Sequence, residues 1–147
     1  MSRAIERDIA ADVRLARATL RARDASAVAV SGGAVRGVAH GEGLRPLLRL
    51  LDEGAVMPGC AVADRIVGLA AAKLLTAAEV AAVWSPLGST LAADWLGRRQ
   101  VVFELERRVP VILGRDGRSE CPMERLARTT DDIRSGLARL AAEHGGA

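Results

Sequence analysis

Asp64-Arg-Ile-Val-Gly-Leu-Ala-Ala-Ala-Lys-Leu-Leu-Thr-Ala-Ala78 is the stretch that decides the fold. As a helix, this stretch carries large apolar or small residues on nearly every face, and Lys73 is its one charge after the first turn. A helix that is apolar all round belongs inside a domain. Gly68 costs about 1 kcal/mol relative to alanine in a helix interior, so we expect a neighbouring segment to approach it closely. The sequence therefore predicts a buried helix over residues 64–78.

Two polar residues, Asp64 and Arg65, stand at the N-terminal end of this predicted helix. Free backbone N–H groups and the helix dipole favour an anion at such an end. Both residues are therefore candidates for ligand binding. The alternative is that Asp64 only caps a core helix, which is a frequent role for aspartate.

The composition is that of one soluble globular domain. The chain has 147 residues, of which half are hydrophobic and 27% are charged, and this length predicts a single domain over residues 1–147. No apolar run reaches the roughly 20 residues that span a bilayer. The N-terminus mixes acids with bases and lacks an apolar segment, unlike a secretory signal. We therefore expect a cytoplasmic protein without a membrane partner.

The charged residues argue against a nucleic-acid-binding protein, and the cysteines and histidines argue against a disulfide-rich or zinc-binding one. The net charge of +3 comes from bases interleaved with 18 acids, and aromatic residues make up only 2% of the chain, so we expect no nucleic-acid partner. The cysteines and histidines are Cys60, Cys121, His40 and His144, all far apart. They supply neither a disulfide framework nor a closed zinc site.

The other segments alternate between strands and helices. Ser31-Gly32-Gly33 separates two short apolar runs and predicts a hairpin, and Ser85–Ser89 should separate a strand from the next helix. Cys121 should begin a short helix in which Glu124 completes the cap. Predicted strands cover 27–30, 34–39, 80–84, 100–105 and 109–113, and predicted helices cover 5–21, 44–51, 90–96 and 131–143, the last capped by Thr130. This alternation indicates an α/β layered domain with its core over about 5–128.

This order of elements, with the motifs Ala63-Asp-Arg-Ile-Val-Gly68, Arg115-Asp-Gly117 and Cys121-Pro-Met-Glu124, resembles a family of uncharacterised prokaryotic proteins known as domain of unknown function 1893. The likeness spans about residues 8–128. The resemblance implies the cytidine deaminase fold, a three-layer sandwich in which helices flank a mixed sheet, in a bacterial protein.

The resemblance also shows what this chain lacks. Zinc deaminases place a His or Cys and a Glu at the start of the buried helix, and Pro-Cys-x-x-Cys after the next strand. The first set falls at Ala63-Asp-Arg65, and the second falls at Pro86, where Leu87 and Thr90 replace the thiolates. Because leucine cannot coordinate a metal, we expect no zinc-dependent deamination, no metal and no cofactor.

If the deaminase pocket is retained, the resemblance places Asp64 and Arg65 at one helix mouth and Ser85, Gly88 and Ser89 at the next. Two helix N-termini that face one cleft favour phosphate or carboxylate. We therefore expect a small anionic or nucleotide-like ligand, bound without catalysis. Ser85 and Ser89 are equally suited to turns and caps.

Cys121 supports a second hypothesis, an enzyme of unknown reaction. Its thiol would lie at a helix N-terminus beside Arg115 and Arg118, where positive charge favours the nucleophilic thiolate. No base is near it in the sequence, and a packed capping thiol beside a solvated turn is the alternative. A third hypothesis is a homodimeric interaction module whose apolar helices pair. The sequence leaves open whether the protein is an enzyme.

Overall fold

Five strands form one mixed sheet in the computed structural model, which describes residues 3–143 and the side chains of residues 8–142. In chain order they are β1 (Ala27–Ser31), β2 (Ala34–Ala39), β3 (Ala61–Asp64), β4 (Ala82–Ser89) and β5 (Val102–Val109). Their spatial order is β2-β1-β3-β4-β5. β1 is antiparallel to both of its neighbours, whereas β3, β4 and β5 are parallel.

Helices cover both faces of this sheet. The described residues form α1 (Arg3–Ala22), α2 (Arg45–Asp52), α3 (Leu69–Ala77), α4 (Thr90–Arg98), α5 (Pro122–Ala127) and α6 (Ile133–Glu143). α1 packs on one face, and α2, α3 and α4 contribute to the larger core on the other. α3 and α4 lie on the same face because each connects a strand to its parallel neighbour with the same handedness. The α/β class predicted from the sequence is confirmed.

The helix predicted over 64–78 begins later than expected. Residues up to Asp64 belong to β3, and α3 starts at Leu69 after an extended Gly68. The Val67 N–H donates to Leu87 O at 2.9 Å, and Val67 O accepts from the Ser89 N–H at 3.0 Å. The intervening segment therefore prolongs the sheet beside β4. A helical hydrophobic pattern does not reveal such pairing, although the predicted burial of α3 is confirmed.

Two strand predictions were wrong at their ends. The predicted break at Ser85–Ser89 is absent, since β4 continues to Ser89. Pro86, which has no N–H to donate, is skipped in the pairing between β4 and β5. β5 runs through to Val109, and the strand predicted over 109–113 does not form within the described residues.

The cap of the last helix differs from the prediction. α6 begins at Ile133, and the Asp132 carboxylate accepts the Ser135 N–H at 3.1 Å. Asp132 thus caps the last helix in place of Thr130. Aspartate is a strong N-cap because its carboxylate accepts the otherwise unpaired N–H groups of the first turn.

The predicted hairpin is confirmed, and a residue of α1 holds its turn. β1 and β2 are joined through Gly32 and Gly33, with φ of 59° and 77°. Oxygens of the buried Asp12 carboxylate accept the Gly32 N–H at 3.2 Å and the Gly33 N–H at 2.9 Å. Asp12 therefore anchors the hairpin to the helix that crosses the sheet.

We expect Asp12→Ala to lower the free energy of unfolding by about 1–2 kcal/mol, because hydrogen bonds to a charged group are stronger than neutral ones and the exposed glycine amides regain water. Urea unfolding measures the difference. Asp8→Ala, one turn earlier at an exposed position of α1, is the matched control. Equal stability of the two variants would contradict this role.

Candidate functional site

Four of the predicted site residues lie on β3 and β4, towards the carboxyl edge of the sheet: Asp64, Ser85, Gly88 and Ser89. Asp64 is the last residue of β3 and Ser89 the last of β4. Ser85 lies beside Asp64, one position beyond the paired Ala63 and Trp84. The chain from β5 to α5 returns to this edge, because Glu124 contacts the first turn of α3.

Glu124 fills the anion position at the N-terminus of α3. Its carboxylate accepts the Leu69 N–H at 2.7 Å and the Ala70 N–H at 3.2 Å, and the residue is 5% exposed. Burial raises the pKa of Glu124, and the two amide donors act in the opposite direction. The prediction that Glu124 caps its own helix was wrong: it caps α3, while Cys121 at the start of α5 makes no side-chain cap bond.

Gly68 is the position where this carboxylate comes closest to the backbone. A Cβ at Gly68 would lie 2.3 Å from Oε1 of Glu124, inside any permitted contact. The close approach expected at Gly68 is therefore present, but a side chain makes it rather than a neighbouring backbone. This contact explains why glycine precedes a buried helix.

Asp64 is buried at the end of β3 and has few hydrogen-bond donors. It is 8% exposed, and its Oδ1 accepts the Ile66 N–H at 3.3 Å. Burial raises the pKa of Asp64 to about 7, despite the amide donors and the nearby Arg65 charge, which favour ionisation. The protonated form of this carboxyl group therefore persists to much higher pH than in an exposed aspartate.

Arg65 does not lie at a helix tip. Its Nη2 donates to Asp24 Oδ1 at 2.9 Å and to Ala25 O at 3.1 Å. The guanidinium is half-exposed and faces the connection between α1 and β1. The structure thus separates Arg65 from the α3 N-terminus with which the sequence pattern associated it.

Ser85, Gly88 and Ser89 all have structural contacts. Ser89 Oγ accepts the Ala92 N–H at 3.1 Å and caps α4. The buried Ser85 Oγ donates to Leu87 O at 2.8 Å. A Cβ at Gly88 would lie 2.5 Å from a Leu105 methyl carbon. Ligand binding by these three residues stays a prediction.

Of the two arginines expected beside Cys121, Arg115 is directed elsewhere. Arg115 Nη2 pairs with Glu42 Oε2 at 3.2 Å, and both side chains are highly exposed. The backbone N–H of Arg118 donates to Asp116 Oδ1 at 2.9 Å; this bond is the largest cause that holds the pKa of Asp116 below its ordinary value. Cys121 is half-buried, and no hydrogen bond to its thiol occurs among the described side chains. Its role as a nucleophile stays a prediction.

Sequence reasoning missed the role of Lys73. Its buried ammonium group donates to Ala127 O, to Thr130 O at 3.0 Å and to Asp131 Oδ1 at 2.7 Å. These bonds tie α3 to the end of α5 and the start of α6. The available signal was compositional, since Lys73 is the one lysine in an arginine-rich chain, and a compact ammonium fits three convergent oxygens where a planar guanidinium does not.

Two open clefts, of about 470 and 570 Å³, adjoin Lys73 at the far end of α3 from Asp64. Two pairs among their polar groups are already formed: Lys73 with Asp131, and the Trp95 indole N–H with Thr76 Oγ1 at 2.9 Å. The clefts therefore lie at one end of α3, whereas the carboxyl group with the raised pKa, Asp64, lies at the other. We place the candidate site at the carboxyl edge, because a strongly shifted buried carboxyl group marks function better than an open surface depression does.

Leu87 and Thr90, the residues that the resemblance sets in place of two thiolates, make structural contacts. Leu87 is part of β4, and Thr90 Oγ1 lies 3.4 Å from Val109 O. Across the described side chains, no three residues of His, Cys, Asp or Glu are grouped so as to hold a metal ion. No helix within residues 3–143 combines the length and hydrophobicity that crossing a bilayer requires.

Together these features define a mixed α/β protein in which two buried carboxyl groups, Asp64 of β3 and Glu124 of α5, lie at the carboxyl edge of the sheet. A family model described as TM1506, domain of unknown function (DUF1893), matches residues 15–142. The chain belongs to this family, as its motifs predicted. It is also similar to the crystal structure of a DUF1893 family protein, TM1506 from Thermotoga maritima, with 27% identity, a TM-score of 0.77 and 88% of each chain covered. None of the curated proteins matches the chain.

Proposed function

We propose that this protein is a deaminase-fold domain without the zinc ligands, which binds a small nucleobase-like molecule at the carboxyl edge of its sheet. Support for the fold comes from the parallel β3, β4 and β5 with crossover helices on one face. Support for the absence of zinc chemistry comes from Leu87 and Thr90 at the positions of two thiolates. We expect the binding to be non-catalytic.

The observation that carries this proposal is the burial of the Asp64 carboxyl group beside an amide donor as distant as 3.3 Å, and this burial raises its pKa to about 7. In its protonated form, a carboxyl group presents an O–H donor next to an acceptor oxygen. The edge of a nucleobase, where a ring N–H adjoins a carbonyl or a ring nitrogen adjoins an amino group, is its complement. Such a ligand would satisfy Asp64 in its protonated form.

The occupied helix N-termini favour a neutral recognition group over an anion. Glu124 accepts the first N–H groups of α3, and Ser89 accepts the Ala92 N–H of α4. An incoming phosphate or carboxylate would have to displace these contacts. The base of a nucleotide-like ligand is thus a better match for the site than its phosphate.

We expect at least one member of a panel of nucleobases and nucleosides to raise the melting temperature of the protein at pH 7. A ligand at 100 times its Kd stabilises the folded state by about 2.7 kcal/mol. Asp64→Ala should abolish the increase, whereas Asp94→Ala, at an exposed position of α4, should retain it. The proposal fails if no member stabilises the wild type at millimolar concentration, or if Asp64→Ala responds equally.

The Cys121-dependent enzyme and the homodimeric module stay predictions. No contact of the described residues favours either of them over ligand binding at Asp64.

A further inference from the structure

A second polar cluster lies on the opposite face of the sheet, where α1 crosses β4. Trp84 is 1% exposed, and its indole N–H has no hydrogen-bond partner among the described side chains. A buried donor without an acceptor costs about 1–3 kcal/mol, and native structures contain few of them. A hydrogen-bond acceptor beside Trp84 would satisfy this N–H.

Two arginines of α1 cover the indole. The Cζ atoms of Arg17 and Arg21 each lie 5.2 Å from the centroid of the Trp84 ring. Their Nη2 atoms reach the same oxygen of Glu106, at 3.2 and 3.5 Å respectively. The arginine side chains are 39% and 54% exposed, so solvent reaches both of them.

We infer that Arg17, Arg21 and Trp84 form a binding site for a tetrahedral oxyanion, of which phosphate is the model, and that Glu106 occupies the site when the anion is absent. A phosphate offers enough oxygens to accept from both guanidinium groups and from the indole N–H at once. Guanidinium groups favour phosphate because their donors match its geometry. This site is independent of the ligand proposed for Asp64, which lies on the other face of the sheet.

Local charge makes the affinity depend on Glu106. Glu104, which pairs with Trp84 across β4 and β5, is a second carboxylate beside the site. With both glutamates present, the positive charges of Arg17 and Arg21 are balanced. An oxyanion must therefore displace Glu106, and neutralising Glu106 should strengthen binding.

Titration with inorganic phosphate at constant ionic strength, followed by the two indole N–H resonances in NMR spectra, tests this inference. We expect the Trp84 resonance to shift and the Trp95 resonance, whose N–H is bonded to Thr76, to stay. Glu106→Gln should lower the Kd about tenfold by removing a competing charge at contact distance. The double variant Arg17→Gln/Arg21→Gln should lose the response, and Arg134→Gln, which removes an arginine paired with Asp52, should keep it.

Adenosine monophosphate in place of inorganic phosphate distinguishes the source of the anion. Tighter binding of the nucleotide would identify an esterified phosphate, and equal or weaker binding would identify the free ion, provided that the double arginine variant abolishes both. The inference is overturned if the Trp84 resonance does not move, if Glu106→Gln leaves the Kd unchanged, or if the double variant responds like the wild type. In the last case the response is a general salt effect.

Discussion

Replacing Gly68 with alanine is expected to lower the free energy of unfolding by about 3 kcal/mol. The new methyl group would lie 2.3 Å from Oε1 of Glu124, so the carboxylate has to move away. Overpacking a buried site costs about 1–3 kcal/mol, and the loss of acceptors for the Leu69 and Ala70 amides adds about 1–3 kcal/mol. Urea unfolding followed by circular dichroism measures the change.

Gly97→Ala is the matched control for this prediction. Gly97 lies in α4, where a Cβ would meet nothing closer than a Phe103 ring carbon at 3.9 Å. Alanine should there stabilise the helix by up to about 1 kcal/mol. If Gly68→Ala destabilises through Glu124, the cost should shrink in a Glu124→Ala background, because the colliding group is gone. An undiminished cost in that background would refute the proposed contact.

The free energy of unfolding should fall as the pH rises from 4 to 8, and Asp64→Asn should remove most of this fall. Burial raises the pKa of Asp64 from 3.8 to about 7. Between these values the unfolded chain ionises while the folded protein retains the proton, so the folded state loses stability with rising pH. At about 1.4 kcal/mol per pKa unit, the full difference is on the order of 4 kcal/mol.

The test compares the wild type with Asp64→Asn by urea unfolding at pH 4, 6 and 8. The raised pKa of Glu124 contributes with the same sign, and the lowered pKa values of Asp116 and Asp132 contribute with the opposite sign. These groups are present in both proteins, so their contributions cancel in the difference. Asp94→Asn should follow the wild type. A constant difference between wild type and Asp64→Asn at all three pH values would show that Asp64 ionises normally in the folded state.

The carboxyl groups of Asp64 and Glu124 differ in how much each is stabilised. Glu124 accepts two backbone N–H groups and closes the α3 N-terminus. Asp64 is buried to a similar degree, but its hydrogen bonding is weaker, since the Ile66 amide that donates to it lies at 3.3 Å. A buried group that lowers stability at neutral pH is expected where function requires it, which is the reason for placing the ligand at Asp64.

Local patterns predicted the elements, and long-range contacts decided their ends. The glycines at 32 and 33 marked the hairpin, because a tight turn requires positive φ there. The apolar face of α3 marked it as buried. Its first residue depended instead on the pairing of Val67 with Leu87 and Ser89. The helical periodicity of residues 64–78 does not predict these hydrogen bonds.

In the candidate site too, local patterns predicted some of the features and long-range contacts determined the others. The sequence identified Asp64 as a candidate for ligand binding and Gly68 as a point of close approach, and both lie at the carboxyl edge of the sheet. The role of Glu124 was misassigned, because its position after Cys121 suits a local cap as well as a distant one. Lys73, Asp12 and the Trp84 cluster went unrecognised, since each makes its contacts with residues at least 20 positions away.

By itself, the sequence determined that this protein is an α/β domain of the DUF1893 family with a buried central helix, because hydrophobic periodicity, turn residues and short motifs are local properties of the chain. Only the tertiary structure decided which groups are desolvated and which are paired. Those two properties placed Glu124 on α3, left Asp64 with a pKa near neutrality and left the Trp84 N–H without a partner. They depend on contacts between distant residues, and the order of residues along the chain does not express them.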